Sequence, residues 1–253
     1  MVPELQIGSV TLSTYAALYA VAAAVALALF RRELGRTGRP PHAWWVLGLA
    51  ALAAGAVGTK LWYFAEVWRE IDLGDPRAYL DPYGSGWYGG FLLGGAGVAV
   101  AARALGLPVL ASLDAAAPGV AAGQVLGRVG CFLGGCCHGR PSDLPWAVGF
   151  RGGVYPASVP VHPTQLYEAL VYAAVLAALW RRRGRDGASG VQFGTYLLLA
   201  SAGRFLVELV RVNPRVVLGL SAQQLVALAL AAAGARLVSS PPHAAGARPR
   251  PYG

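Results

Sequence analysis

The charged residues of this 253-residue chain fall in short clusters, separated by apolar stretches of the length that an α-helix needs to cross a bilayer, about 20 residues. Soluble folds do not segregate charge in this way. With 56% hydrophobic and 13% charged residues and a mean hydropathy of +0.49, the chain holds more apolar surface than one water-exposed domain of its size can bury. The excess must face lipid. Spans are expected near residues 10–30, 43–67, 87–105, 111–134, 163–180, 191–210 and 216–238. The expected fold class is therefore an all-α integral membrane protein with about seven transmembrane helices. Residues 1–238 are expected to form that domain, with 136–162 as a small extracytoplasmic head segment and 239–253 as a disordered cytoplasmic tail.

The net charge of +9 raises the question of nucleic acid, but no basic stripe interleaved with aromatics stands outside the loops. Orientation in the membrane accounts for the excess better. Arg31, Arg32, Arg36 and Arg39 follow the first span, Arg103 closes the third, and Arg181, Arg182, Arg183 and Arg185 follow the fifth. Arg236, Arg248 and Arg250 mark the end of the last. These ends are expected in the cytoplasm, and the acidic cluster Glu70, Asp72, Asp75 and Asp81 outside, so the N-terminus is outside and the C-terminus inside. The first span has no basic n-region before it and no suitable cleavage site after it, so it is expected to stay in the protein. Small residues crowd the second and third spans, as in Ala54-Gly55-Ala56-Val57-Gly58 and Gly94-Gly95-Ala96-Gly97, where they let helix backbones approach closely.

A charge at membrane depth costs several kcal/mol unless it is paired or meets water, so Lys60, Arg128, Glu168, Arg204 and Glu208 each need an explanation. Arg204, Glu208 and Arg211 are spaced i, i+4 and i+7, which on a continuous helix puts them on one face. They form either an ion pair that only joins helices or part of a polar site. Arg128 opens a segment, 127–139, whose five glycines let backbone N–H groups approach a ligand. Its arginine suits an anionic group, unless it merely snorkels from a glycine-packed helix end.

In His162-Pro163-Thr164-Gln165-Leu166-Tyr167-Glu168, proline suits the first turn of a helix and leaves His162 at its mouth. Gln165 and Glu168 share a face of that helix, and Glu168 is a candidate to orient His162 as a proton acceptor. The simpler alternative is a histidine that caps the helix. Cys131, Cys136 and Cys137, with His138 alongside, suggest a metal or a disulfide only weakly, because adjacent cysteines do not readily take zinc-knuckle spacing. No metal site and no cofactor are expected.

In order and depth, segments 127–139, 162–168 and 203–211 resemble the motifs of bacterial prolipoprotein diacylglyceryl transferases, over roughly residues 15–224. The resemblance implies an enzyme of the bacterial inner membrane that moves the diacylglyceryl group of phosphatidylglycerol onto the lipobox cysteine of a prelipoprotein and releases glycerol phosphate. Its partners would be phosphatidylglycerol, lipobox peptides and the bilayer. By motif position, Arg128 looks like the lipid-binding arginine and Arg204 like the second essential cation. Glu208 would hold Arg204, and Arg211 would help to meet the head group. Tyr15, Gly139 and Gln165 would line the substrate cavity, with His162 or Tyr88 assisting proton transfer.

The chain departs from the family pattern at three positions. Tyr88 stands in Tyr88-Gly89-Gly90 where many members carry histidine, so a base there would be a phenol with an ordinary pKa of about 10. Cys131 and Cys136 replace a common asparagine and glutamate. These changes leave room for a diverged paralogue acting on another lipid or acceptor. A non-enzymatic membrane protein whose ion pairs only join helices is the remaining alternative.

Overall fold

The computed structural model describes residues 4–7, 10–67, 86–184 and 188–240. Glu70, Asp72, Asp75, Asp81, Arg185, Arg248 and Arg250 lie outside these residues, as does the tail from residue 241. Seven α-helices occur among the described residues: α1 (Thr14–Arg36), α2 (Ala43–Val67), α3 (Trp87–Ala104), α4 (Val109–Gly134), α5 (Thr164–Arg182), α6 (Val191–Val207) and α7 (Ala222–Ser239). Three two-stranded antiparallel hairpins accompany them: β1 (Glu4–Ile7) with β2 (Val10–Ser13), β3 (Val148–Phe150) with β4 (Ala157–Val161), and β5 (Arg215–Val217) with β6 (Leu220–Ser221). Five helices, namely α1, α2, α4, α6 with the turn after it, and α7, are long and apolar enough to cross a membrane. The chain is thus a predominantly helical membrane protein.

Two hairpins and a 3₁₀ turn shift the expected helix boundaries. Residues 10–13 are a strand, so the first helix begins at Thr14, where the Ser13 hydroxyl accepts from the Ala16 N–H at 3.4 Å; it then runs past residue 30 to Arg36. The last helix begins at Ala222, not near 216. Leu218 (φ 49°) and Gly219 (φ 73°) form the two-residue left-handed turn that suits the twist of a hairpin. Ser221 then starts α7 with a reciprocal cap: its hydroxyl accepts from the Gln224 N–H, and the Gln224 side chain accepts from the Ser221 N–H. In the third departure, α6 stops at Val207 and tightens into a 3₁₀ turn, Glu208–Val210, so Arg211 lies beyond the helix.

The described residues belong to two compact units, one within 27–116 and one within 1–26 and 117–253. In the first, α2 and α3 pack along their glycines. A β-carbon at Gly55 would lie 3.3 Å from the Gly90 carbonyl oxygen, and one at Gly58 would run into the Gly89 backbone. Phe30, Leu34, Leu47, Val98 and Ala102 make an apolar core beside this seam. In the second unit, α6 and α7 approach equally closely, with a β-carbon at Gly194 falling 2.9 Å from the Gly234 carbonyl oxygen. The β3–β4 hairpin occupies the segment expected as a head, and Phe150, fully buried, packs there with Val161 and the edge of Phe132.

The contact at Gly58 yields a test. Gly58→Val must push α2 and α3 apart, because the neighbouring atoms are backbone and cannot swing away. The substitution is expected to destabilise the protein by about 1–3 kcal/mol, read as a lower thermal midpoint in detergent, whereas Gly95→Ala, inside the same helix with open space around it, should not lower the midpoint.

Candidate active site

The buried charges of the second unit converge where the C-terminal end of α4 meets the first turns of α5 and the end of α6. Arg128 sits in the last two turns of α4, Glu168 in the second turn of α5, and Arg204 in the last turn of α6. Glu168 joins them. Its Oε2 lies 2.8 Å from Arg128 Nε, and its Oε1 lies 3.2 Å from Arg204 Nε. Glu208 pairs with the terminal nitrogen of Arg204, and Arg211 stands 3.9 Å from Glu168 and 3.8 Å from Glu208. The 3₁₀ turn therefore keeps Arg211 beside Glu208 even though no continuous helical face exists. Glu168 and Glu208 are each 1% exposed, and the Arg128 side chain is 16% exposed.

Glu208 is held further by Ser221 Oγ at 2.8 Å and Asn213 Nδ2 at 2.7 Å, both donating to its Oε1. Arg215 donates to Gln224 Oε1 at 2.7 Å, which ties the β5–β6 hairpin to the same end of the unit. Three guanidiniums, Arg128, Arg204 and Arg211, surround two carboxylates, leaving one positive charge in excess. In surroundings of low dielectric, such an excess favours one anion.

The loop after α4 closes the site. Gln165 Nε2 donates to the Cys136 carbonyl at 2.6 Å, and both Thr164 Oγ1 and Arg211 donate to the Cys137 carbonyl, at 2.8 and 2.9 Å. Gln165 is fully buried, and its Oε1 has no protein partner. Gly139 is pinned between strands of chain: its N–H donates to the His162 carbonyl at 2.9 Å, and a β-carbon there would lie 2.5 Å from the Val210 carbonyl oxygen. Beyond the helix end, hydrogen bonds from Cys131 and Cys136, aided by the guanidiniums of Arg211 and Arg128, hold the Cys137 thiol well below the usual thiol range. Bonds to Cys131 and Cys137 push Cys136 the other way.

Among the expected site residues, Arg128, Arg204, Glu208, Arg211, Gln165 and Gly139 are thus gathered at one place. Tyr15 lies against the same end of α4, its Cβ 3.7 Å from where a β-carbon on Gly134 would stand, and its ring is 5.4 Å from that of Tyr19. His162 is not oriented by Glu168, which is committed to the arginines. Its Nδ1 lies 3.3 Å from Tyr167 Oη, and Tyr167 accepts from Trp146 Nε1 at 2.7 Å. The oxygen of Tyr167 has lone pairs for both Trp146 Nε1–H and His162 Nδ1–H, and the tautomer protonated at Nδ1 leaves Nε2 free to accept a proton.

Tyr88 and Lys60 belong to the other unit. There Tyr88 is 7% exposed with its ring 5.7 Å from Trp62, and Lys60 Nζ lies 5.9 Å from the centre of the Tyr63 ring. Sequence reasoning missed Glu168 as the shared anion, and it missed Thr164, Asn213, Ser221 and Gln224 altogether. Single polar residues near helix ends carry no periodic signal.

A groove of about 570 Å³ runs along the second unit below this cluster, lined by Ala122, Val125 and Leu126 of α4 and by Ala173, Leu176, Ala177, Trp180 and Arg181 of α5. Its walls are almost wholly apolar. On a helical rise of 1.5 Å per residue it extends from near Arg128 to a point about 20 Å along α5 from Glu168.

These features define a helical membrane protein whose buried charges are collected at one end of an apolar groove. The chain belongs to the prolipoprotein diacylglyceryl transferase family, whose sequence pattern it matches over residues 4–239. It is 31% identical to the phosphatidylglycerol–prolipoprotein diacylglyceryl transferase of Clostridium tetani over 79% of this chain and 81% of that one. It is 34% identical to the protein of the same name from Geobacter sulfurreducens over 86% of this chain and 84% of that one.

The shared carboxylate yields a second test. Glu168→Gln keeps the shape but leaves two buried guanidiniums facing a neutral amide, and is expected to cost about 3–5 kcal/mol. Denaturation of the variant in detergent, compared with Glu66→Gln on the exposed end of α2, measures the difference.

Proposed function

We propose that this chain transfers the diacylglyceryl group of phosphatidylglycerol to the cysteine thiol of prelipoproteins. The observation that carries the reading is the buried arginine–carboxylate cluster, with one positive charge in excess, at the head of an apolar groove. A phospholipid has the matching form. Its phosphodiester supplies one negative charge to the guanidiniums, and its acyl chains lie against the apolar walls of α4 and α5.

In the reaction, the thiol sulfur of a lipobox cysteine attacks the glyceryl carbon that bears the phosphate ester. A carbon–sulfur bond forms as the carbon–oxygen bond breaks, the electron pair of that bond leaves with glycerol phosphate, and the thiol proton passes to a base. Arg128 and Arg204 bind the phosphate and stabilise the charge that grows on its leaving oxygen. Glu168 fixes the spacing of these two guanidiniums, Glu208 keeps Arg204 in place, and Arg211 supports the head group. Tyr15, Gly139 and Gln165 shape the cavity. His162, with Nδ1 engaged by Tyr167, offers Nε2 for proton transfer, and Tyr88 is the rival for that role.

The protein is placed in the bacterial inner membrane, with the N-terminus outside and the C-terminus in the cytoplasm. α3 and α5, with 18 and 19 residues, complete seven spans, since each extends about 27–28 Å along its axis against a hydrocarbon thickness of about 30 Å. The segment 136–162, with the β3–β4 hairpin, then lies on the outer side, where a prelipoprotein cysteine arrives.

Incubation of the purified protein with phosphatidylglycerol and a lipobox peptide should add one diacylglyceryl mass to the peptide at cysteine. Arg128→Ala and Arg204→Ala should each lower kcat/KM by at least about 100-fold. A folded protein that produces no such mass gain would overturn the proposal. In the same assay, a larger loss in His162→Ala than in Tyr88→Phe assigns the proton transfer to the imidazole.

A further inference from the structure

Three thiols meet at the end of α4. The Sγ atoms of Cys131, Cys136 and Cys137 all lie within 4.8 Å of one another, and none is in a disulfide. Adjacent side chains on an extended chain point to opposite sides. Here left-handed backbone at Gly135 (φ 69°) and Cys137 (φ 62°) folds the chain back over the helix end, so both loop thiols reach Cys131 in the last turn. Only one other non-glycine residue among those described has positive φ, and it is Leu218, at a hairpin tip where that conformation is ordinary. A cysteine held left-handed away from such a tip is unusual, and its effect is to deliver the third thiol.

We propose that Cys131, Cys136 and Cys137 form a three-thiolate site for one soft d10 metal ion of the cuprous class. Soft thiolates select such ions, and no fourth side-chain ligand stands ready among the described residues. His138 is engaged elsewhere: its ring nitrogens lie 3.2 Å from the Gly139 carbonyl oxygen and 3.1 Å from that of Tyr155, and the ring stacks on Phe150. A structural zinc ion takes four ligands, which this set does not supply. Metal–sulfur bonds of about 2.3 Å place three trigonal sulfurs about 4 Å apart, so the cluster contracts by less than about 1 Å on loading.

Loading forms three copper–sulfur bonds, releases to solvent the protons that the thiols still carry and transfers no electron. The resulting dianion sits beside Arg211, which already donates to the Cys137 carbonyl at 2.9 Å, and one helical turn from Arg128. Cys131 and Cys136 are 7% and 4% exposed, while Cys137 is half-buried and marks the way in. A disulfide would use two of the thiols and give no reason for the third.

The full chain, purified in detergent and kept reduced and anaerobic, is titrated with Cu(I) alone against a chromogenic cuprous chelator. The expected result is one chelator-resistant Cu(I) per chain, with thiolate-to-copper charge-transfer absorption in the ultraviolet. Cys136→Ser and Cys137→Ser should each weaken binding at least about 100-fold, the upper end of what changes outside the ligand set cause. Their melting midpoints without copper serve as the check on folding. If either variant fails to fold, protection of all three wild-type thiols from alkylation by one equivalent of Cu(I) carries the test. Absence of chelator-resistant copper, or binding unchanged in both serine variants, overturns the proposal. So does a disulfide between any two of the three in protein isolated from cells without reductant. None of these readouts depends on the transferase activity.

Discussion

The second unit depends on one carboxylate shared by two guanidiniums. Glu168 comes from α5, and the arginines that it joins come from α4 and α6, so the same interaction that neutralises charge at membrane depth also sets the spacing of three helices. In lipid, an unpaired arginine and an unpaired glutamate are each unfavourable by several kcal/mol, and water is absent to relieve either. The helices are therefore held in an arrangement in which each buried carboxylate meets a guanidinium. Arg204 needs two carboxylates to be held, Glu208 from its own chain direction and Glu168 from across the site.

The same cluster explains why the polar chemistry and the apolar surface are separated. The buried charges are collected at the end of α4, the first turns of α5 and the end of α6, while the groove between α4 and α5 is lined by alanine, leucine and valine, with Trp180 and Arg181 at its far end. A molecule with an anionic end and a long apolar body is complementary to this division, and neither a soluble anion nor a plain hydrocarbon would use both parts. The family to which the chain belongs comprises proteins named for such a lipid.

Among the described residues, the loop 135–139 has the least ordinary backbone. Two of its residues are left-handed, its carbonyls at 136 and 137 receive three side-chain donors, and Gly139 is enclosed by backbone from two other segments. Such over-determination is what keeps a strained conformation in place. It also explains how vicinal cysteines, which ordinary spacing would send apart, come to share a cluster with Cys131.

The amino-acid sequence by itself determined that the chain is a helical membrane protein, because apolar stretches of spanning length and clustered charges leave no other solvent for its surface. It also marked Arg128, Arg204 and Glu208, since a charge inside an apolar stretch stands out from its neighbours. Only the tertiary structure decided the partners. Glu168 read as a companion to His162, six residues away, yet it pairs with arginines 40 and 36 residues distant in the chain. Hydrogen bonds and ion pairs depend on where atoms meet in space, and periodicity along one helix says nothing of the helix opposite. The helix starts at 14 and 222 and the stop at 207 were equally hidden, because short hairpins and a 3₁₀ turn are set by a few local dihedral angles that hydropathy does not register.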